Sequence, residues 1–363
     1  MMCSRPDQFN SKKTSGLACG GYKLLYWLLI MAASVIAPAV AHATCKYVDS
    51  TSLNLSAVLQ GSVTVGRDIP LGTEIYRTQV TSSGRVVSVC DAESTYNYRY
   101  ISLPRPKSSF VSDLFGANIY DTNIPGIGVV VWAGTYKPVP VSFNTVPANN
   151  TIVVLYHSFY VSLIKTANNV DAGTITGAGL PTFEYVVGSN NLRVHYGNVT
   201  GSLNVVSRTC TTPNVTVDMG DHGLFELKGV GSTTASVDAS FQLNDCPAFF
   251  GRPSIRWNNG SISQGELGAN SVSFRIDPTS KIVDAARGVF ALKSGGATGI
   301  GLQLLDGSAN PISFGAFRPS GLSLQQTEGT NYRIPLQARY YQTDTEITPG
   351  QADGSVTITL SYQ

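Results

Sequence analysis

Charge is scarce in this chain of 363 residues: Asp, Glu, Lys and Arg make up 13% of it, and only four histidines occur. The charges stand singly, which leaves no electrostatic footprint for nucleic acid or for an anionic membrane surface. Sustained 3.6-residue hydrophobic periodicity is missing too, which removes helical bundles and alternating βαβ units from the candidate folds. No Cys-x-x-Cys pair, phosphate-cradling glycine loop or nucleophile motif is present. His157 and His195 fall at no spacing that metal ligation favours, and His222 stands alone. Asp91 and Glu93 are near enough to be read as a glycosidase couple, but residues two apart on a strand face the same side and no partner carboxylate is evident opposite. These absences argue against an enzyme, a metal site or a bound cofactor.

Nor does the apolar run at 24–37 reach the roughly 20 residues that span a bilayer. It follows Arg5, Lys12, Lys13 and Lys23 and ends at Pro38, shortly before Ala41-His42-Ala43. A basic start, a short apolar run and a small-x-small site predict a signal peptide over residues 1–43, with Thr44 as the mature N-terminus. Cys19 lies ahead of the apolar run, which argues against a lipid-attachment site. Four of the 25 basic and one of the 23 acidic residues sit in this leader, so the remaining 21 and 22 turn a formal charge of +2 into −1.

What the chain does have is 36 glycines, 17 tyrosines and many short β-branched or aromatic runs. Strands are predicted over 85–90, 127–132, 151–163 and 191–196, then over 215–219, 234–243, 271–276, 300–305, 332–341 and 354–362. Short strands divided by Gly, Pro, Asn and Ser read as all-β sandwiches, two stacked sheets to a domain. The polar stretch 197–202 running toward Cys210 places a domain boundary there. The predicted division is 44–204, a linker over 205–209, and 210–363.

Six cysteines divide likewise: Cys3 and Cys19 fall in the leader, while Cys45, Cys90, Cys210 and Cys246 stay in the exported chain. Retained pairs fit an oxidising compartment. Four cysteines allow three pairings; the simplest joins Cys45 to Cys90 and Cys210 to Cys246, one bridge per domain. Each would stabilise its domain by at most about 4 kcal/mol through loop entropy.

The C-terminal end alternates strictly: Val356, Ile358, Leu360 and Tyr362 face one side, Thr357, Thr359 and Ser361 the other. Such a strand is either already paired on both sides or presents an open edge to another chain.

Several motifs decide how that end is read. They are Arg208-Thr209-Cys210, Asn244-Asp245-Cys246-Pro247, Gly301-Leu302-Gln303-Leu304-Leu305-Asp306, Ile334-Pro335-Leu336-Gln337-Ala338-Arg339-Tyr340-Tyr341, Thr348-Pro349-Gly350 and the penultimate Tyr362. With them, residues 208–363 resemble the pilin domain of chaperone–usher fimbrial subunits. The resemblance implies an immunoglobulin-like or jelly-roll-like sandwich that lacks its last strand. A periplasmic chaperone supplies that strand first and the adjacent pilus subunit later, after passage through an outer-membrane usher of a Gram-negative bacterium. Val215 and Val217 from the first strand, with Val356, Ile358, Leu360 and Tyr362, would flank the donor-strand groove. Cys45 follows Thr44 directly and leaves no donor segment, so a subunit with this layout accepts a strand without giving one and sits at the fimbrial tip.

The added N-terminal domain makes the chain similar to two-domain tip adhesins such as the mannose-binding adhesin of type 1 fimbriae. The Cys45–Cys90 pair resembles the bridge that opens those lectin domains, and Asn123-Ile124-Pro125-Gly126-Ile127-Gly128 and Leu163-Ile164-Lys165-Thr166 resemble segments of the wider adhesin group. Carried over by position, the receptor site falls on Thr44, Asp91, Glu93 and Asn97, with Asn190 and Asn191 from a later loop and Tyr96 and Tyr98 as an aromatic rim. The implied partner is a host or surface glycan. This chain has Asp91-Ala92-Glu93 where the mannose binders have an Asn-Asp pair, and Thr44 where they have Phe, so mannose itself does not carry over. Two alternatives remain: a structural tip adaptor without glycan binding, and a zinc-dependent adhesin built around His157 and His195. From the residues alone, Tyr96, Tyr98 and Tyr100 also read as the inner face of a strand, and Asn190-Asn191 as a hairpin turn.

Overall fold

The computed structural model describes residues 43–363; the predicted leader, with Cys3, Cys19, the 24–37 run, Pro38 and most of the cleavage sequence, lies outside them. Among the described residues the regular structure is β-strand, apart from the 3-10 turns Gly177–Gly179 and Leu224–Glu226. Both sequential disulfides form, Cys45–Cys90 and Cys210–Cys246. The chain is all-β, in two sandwich halves.

In the N-terminal half two sheets pack face to face. One pairs Glu74–Ser82 with His157–Lys165 and then Ile127–Ala133, antiparallel. The other orders Val141–Val146, Ser94–Ser102, Thr182–Val187, Leu192–Val206 and Gly173–Thr176. Between them lie Val80, Val129, Phe183 and Leu203, and Phe159 meets Phe183 edge to face at 4.6 Å. Ile127–Ala133 is buried along its whole length. Its near-continuous apolar sequence follows from cover on both faces, since Phe115 and Ile119 pack on the outer side against Val130, Trp132 and Ile164.

Two predicted strands change form. Residues 151–163 divide at the exposed Leu155-Tyr156 into Thr151–Val154, paired with Val86–Cys90, and His157–Lys165 in the main sheet. The 191–196 strand becomes Leu192–Val206, 15 residues that run straight through the polar stretch 197–202 and into Val205-Val206. Its neighbours supply what propensity lacks: Leu53–Leu59 lies parallel along it, with Val199 opposite Ala57. At Gly201, where φ is +76°, a Cβ would meet the Leu59 carbonyl oxygen at 2.2 Å, so only glycine fits.

The C-terminal half stacks a five-stranded sheet, centred on Leu336–Gln342 and Ile300–Asp306, over a smaller one in which Val272–Pro278 lies between Arg318–Pro319 and Val356–Tyr362. The predicted 234–243 strand divides into Val237–Asp238 and Phe241–Cys246, and 332–341 divides at Pro335, which has no N–H for the ladder, into Thr330–Ile334 and Leu336–Gln342. The expected strand at 215–219 does not form: Pro213 to Gly223 runs without ladder pairing, and Val215 is 47% exposed.

The two halves also share a sheet. Arg252–Asn258 pairs parallel with Glu74–Ser82, so the hairpin it makes with Ser261–Gly268 extends the N-terminal sheet. Ile255, 3% exposed, joins the N-terminal core cluster.

Candidate functional site

A cleft of about 1530 Å³ opens along one side of the C-terminal half. Phe241, Phe290, Leu302, Leu304 and Ala338 form its floor, and Val215, Val217, Val356, Ile358, Leu360 and Tyr362 all line it. The six residues picked from sequence are therefore brought to one place, although Val215 and Val217 sit on unpaired backbone. Val356–Tyr362 pairs on one side only, with Val272–Pro278. Val356, Ile358 and Leu360 are half-buried, whereas core strands of the N-terminal half bury the corresponding face fully. An apolar floor beside a strand with one open edge is suited to one more extended segment.

In the other half, three of the predicted receptor-site residues meet beside the Cys45–Cys90 bridge. The Thr44 amide donates to Asp91 Oδ1 at 2.6 Å, and the Asp91 amide donates to the Thr44 carbonyl at 3.1 Å. Asn190 clamps Cys45 from both sides, accepting from its amide at 3.0 Å and donating to its carbonyl at 2.7 Å. Gly188 allows this approach: at φ +76° its missing Cβ would lie 2.5 Å from the Cys45 sulfur.

The remaining candidates lie elsewhere. Glu93 is exposed, and Asn97 accepts from the Ser142 hydroxyl at 2.6 Å across the sheet. Asn191 takes the left-handed position of a hairpin turn, with φ 52°, and its side chain accepts from Arg99 at 3.0 Å. Tyr96 and Tyr98 form no rim. They are 6% and 5% exposed and stack on Tyr185 at centroid distances of 5.0 and 4.3 Å, because their side of Ser94–Ser102 is the inner one.

The opposite, outer side carries a charged cluster that the sequence reading missed. Glu184, 5% exposed, takes Arg99 on one carboxylate oxygen at 2.7 Å and Arg193 on the other at 2.7 Å. Burial pushes the Glu184 carboxyl up, but the two guanidinium groups outweigh it and hold the group below its ordinary range. The signal lay in period-two alternation: Arg99 falls between the inward Tyr98 and Tyr100.

His157 and His195, far apart in sequence, face each other through their Nδ1 atoms at 3.1 Å, at 1% and 0% exposure. Burial, and then the neighbouring His157, push the His195 pKa down to about 3. His195 is packed against Tyr98, Phe159 and Tyr185, and among the described residues no cluster of three or more His, Cys, Asp or Glu side chains is placed to hold a metal. Two neutral imidazoles sharing one hydrogen bond inside an apolar core account for this geometry.

Comparison with known proteins matches each half. Residues 197–363 match the fimbrial protein family, and residues 53–201 match the MrkD-like receptor binding domain. A fimbria adhesin protein of Klebsiella pneumoniae is 25% identical over 320 residues, covering 83% of this chain and 89% of the relative. The type-1 fimbrial protein A chain of Escherichia coli is 31% identical over 175 residues, covering 47% of this chain and 84% of the relative. Among solved structures, the receptor binding domain of the adhesin MrkD1P of K. pneumoniae aligns at 18% identity and TM-score 0.35, covering 47% of this chain and 98% of that one. The chain belongs to the fimbrial proteins, as a fimbrial adhesin that joins a receptor-binding domain to a pilin-like domain.

Proposed function

We propose that this adhesin sits at the fimbrial tip and joins the fibre by accepting a donated strand into its C-terminal groove. The observation that carries the proposal is the cleft of about 1530 Å³ beside the open edge of Val356–Tyr362. The unpaired course of residues 213–223 supports it too: the neighbour that would order Val215 and Val217 as a strand is the donated one. In this reading a periplasmic chaperone fills the groove during export, an outer-membrane usher passes the subunit on, and the adjacent pilus subunit then replaces the chaperone's strand. The leader over 1–43, the receptor-binding domain over 44–204, the linker over 205–209 and the pilin domain over 210–363 complete the proposed organisation, with the first two linker residues, Val205 and Val206, corrected to the end of the Leu192–Val206 strand. Titrating the protein with a strand-donating peptide tests it: bound peptide should raise the melting temperature, and an unchanged melt refutes the groove's role.

The receptor is proposed to be a glycan, bound near the Thr44–Asp91–Asn190 cluster. A carboxylate and an amide held rigidly beside a disulfide are the groups that match pairs of sugar hydroxyls. Binding across a glycan array, lost in Asp91→Ala, supports this. Silence across glycans and protein receptors favours the structural tip adaptor instead, which shares every feature of the groove.

A further inference from the structure

We infer that Arg67 and Asp68, which belong to the receptor-binding half, form the closed end of the pilin groove and limit the length of the strand it accepts. The inference rests on the groove taking a donated strand. Ser271 and Gln363 exchange backbone hydrogen bonds at 2.7 and 2.9 Å. In an antiparallel ladder such pairs alternate, so the backbone groups of Val356, Ile358, Leu360 and Tyr362 point away from Val272–Pro278, toward the open edge.

Tyr362 is already bonded at both its amide and its carbonyl, and Leu360 at its carbonyl. The Tyr362 amide donates to Asp68 Oδ2 at 2.9 Å, and the Asp68 amide donates to the Tyr362 carbonyl at 3.0 Å. The Arg67 guanidinium donates to the Leu360 carbonyl at 3.0 Å. A short piece of loop, almost 300 residues away in the chain, thus imitates a paired strand at one end of the edge and leaves the other end free. Arg67 lines the same cleft as Val356 and Ile358, and its bond to the Leu360 carbonyl sets its side chain across the open edge of the strand there.

The stop is held firmly. Lys165, 1% exposed, donates from Nζ to the carbonyls of Gly66 at 3.1 Å and Arg67 at 2.6 Å. A Cβ on Gly66 would lie 2.4 Å from the Tyr362 carbonyl oxygen, so the two halves touch backbone to backbone. Asn270 donates to the carbonyls of Thr64 at 3.1 Å and Gln363 at 3.3 Å, tying the chain end to the same loop. Burial pushes the Asp68 carboxyl up, but Arg67, the Tyr362 amide and the Lys165 charge outweigh it and keep it below its ordinary value. A donated strand accordingly pairs along Val356 to Thr359 and meets the Arg67 side chain at Leu360.

The test uses the full exported chain and a nested series of synthetic peptides, alternating valine and threonine with lysine ends, lengthened two residues at a time at either end. Melting temperature should climb with length and then level off in the native protein, and the plateau should move to longer peptides in Arg67→Ala and in Asp68→Asn. Continued climb in the native protein, to the length that reaches Tyr362, overturns the stop while leaving strand acceptance intact. No rise with any peptide overturns strand acceptance itself. Hydrogen exchange reads the same point in the native chain without any substitution. The Tyr362 amide should be protected with or without peptide, and the Ile358 amide should slow by about tenfold or more only with it. A Tyr362 amide that exchanges freely until peptide is added counts against the stop.

Discussion

The two halves are built from the same material, short strands around one early disulfide, and differ in closure. In the N-terminal half the central strands have neighbours on both sides, and the buried face is complete from Leu55 to Leu203. In the C-terminal half the last strand has one neighbour, and Val356, Ile358 and Leu360 remain half-buried over an apolar floor. The difference teaches that one chain can hold a finished core and an unfinished one. In the proposed function the first half carries recognition and the second, open to a donated strand, carries assembly.

The largest expected effect comes from cutting into the finished core. Phe183→Ala removes the ring that Phe159 packs against and should cost about 3–5 kcal/mol in urea unfolding, with or without a strand partner. Leu360→Ala, on the open wall, should cost less than about 2 kcal/mol in the chain alone and more once a donated strand has buried the site. Equal costs in both states would erase the contrast. Next in size is the bridge of the open half: replacing Cys210 and Cys246 by serine should cost about 2–4 kcal/mol, read from the same unfolding curves.

Acid should weaken the finished half through its buried imidazoles. The folded His195 titrates at about 3 and the unfolded group near 6.5, so between those values the unfolded chain binds a proton that the folded one refuses. Stability is therefore full above 6.5 and falls as the pH drops toward 3, by up to about 1.4 kcal/mol per unit for that proton. His157, shifted in the same direction by burial, adds to the slope. Denaturant midpoints taken on the native protein and on His195→Gln should diverge at neutral pH and approach each other in acid; parallel lines would show that the imidazole is not buried neutral. Smallest is Asp91→Ala, which loses an exposed hydrogen bond to Thr44 worth about 1 kcal/mol or less, yet should abolish glycan binding. A large loss of stability instead would make Asp91 a structural residue.

Much of this contrast was legible in the residues. Strict alternation located the Val356–Tyr362 strand, and cysteine order located both bridges. The errors share a physical cause: propensity reports what a backbone favours, while a strand also needs a neighbour. Residues 215–219 alternate correctly yet find no partner, and the polar stretch 197–202, read as the approach to a domain boundary, is strand flanked by Leu53–Leu59. Period two also divides Ser94–Ser102 into two faces: Tyr96 and Tyr98 lie on the inner one, as their alternation suggests and against the rim that the resemblance implies, and Arg99 lies on the outer one. The parallel pairing of Arg252–Asn258 with Glu74–Ser82 and the grip of Arg67 and Asp68 on the last strand join residues too distant in sequence for any local pattern to reveal.

Hydrogen exchange, followed residue by residue on the full exported chain, tests the asymmetry most directly. Amides of His157–Lys165 should be strongly protected and indifferent to a strand-donating peptide, while Ile358 and its neighbours at the open edge should exchange quickly alone and slow once the peptide is bound. Equal protection of the two regions in the chain alone, unchanged by peptide, would mean that the C-terminal half is already complete.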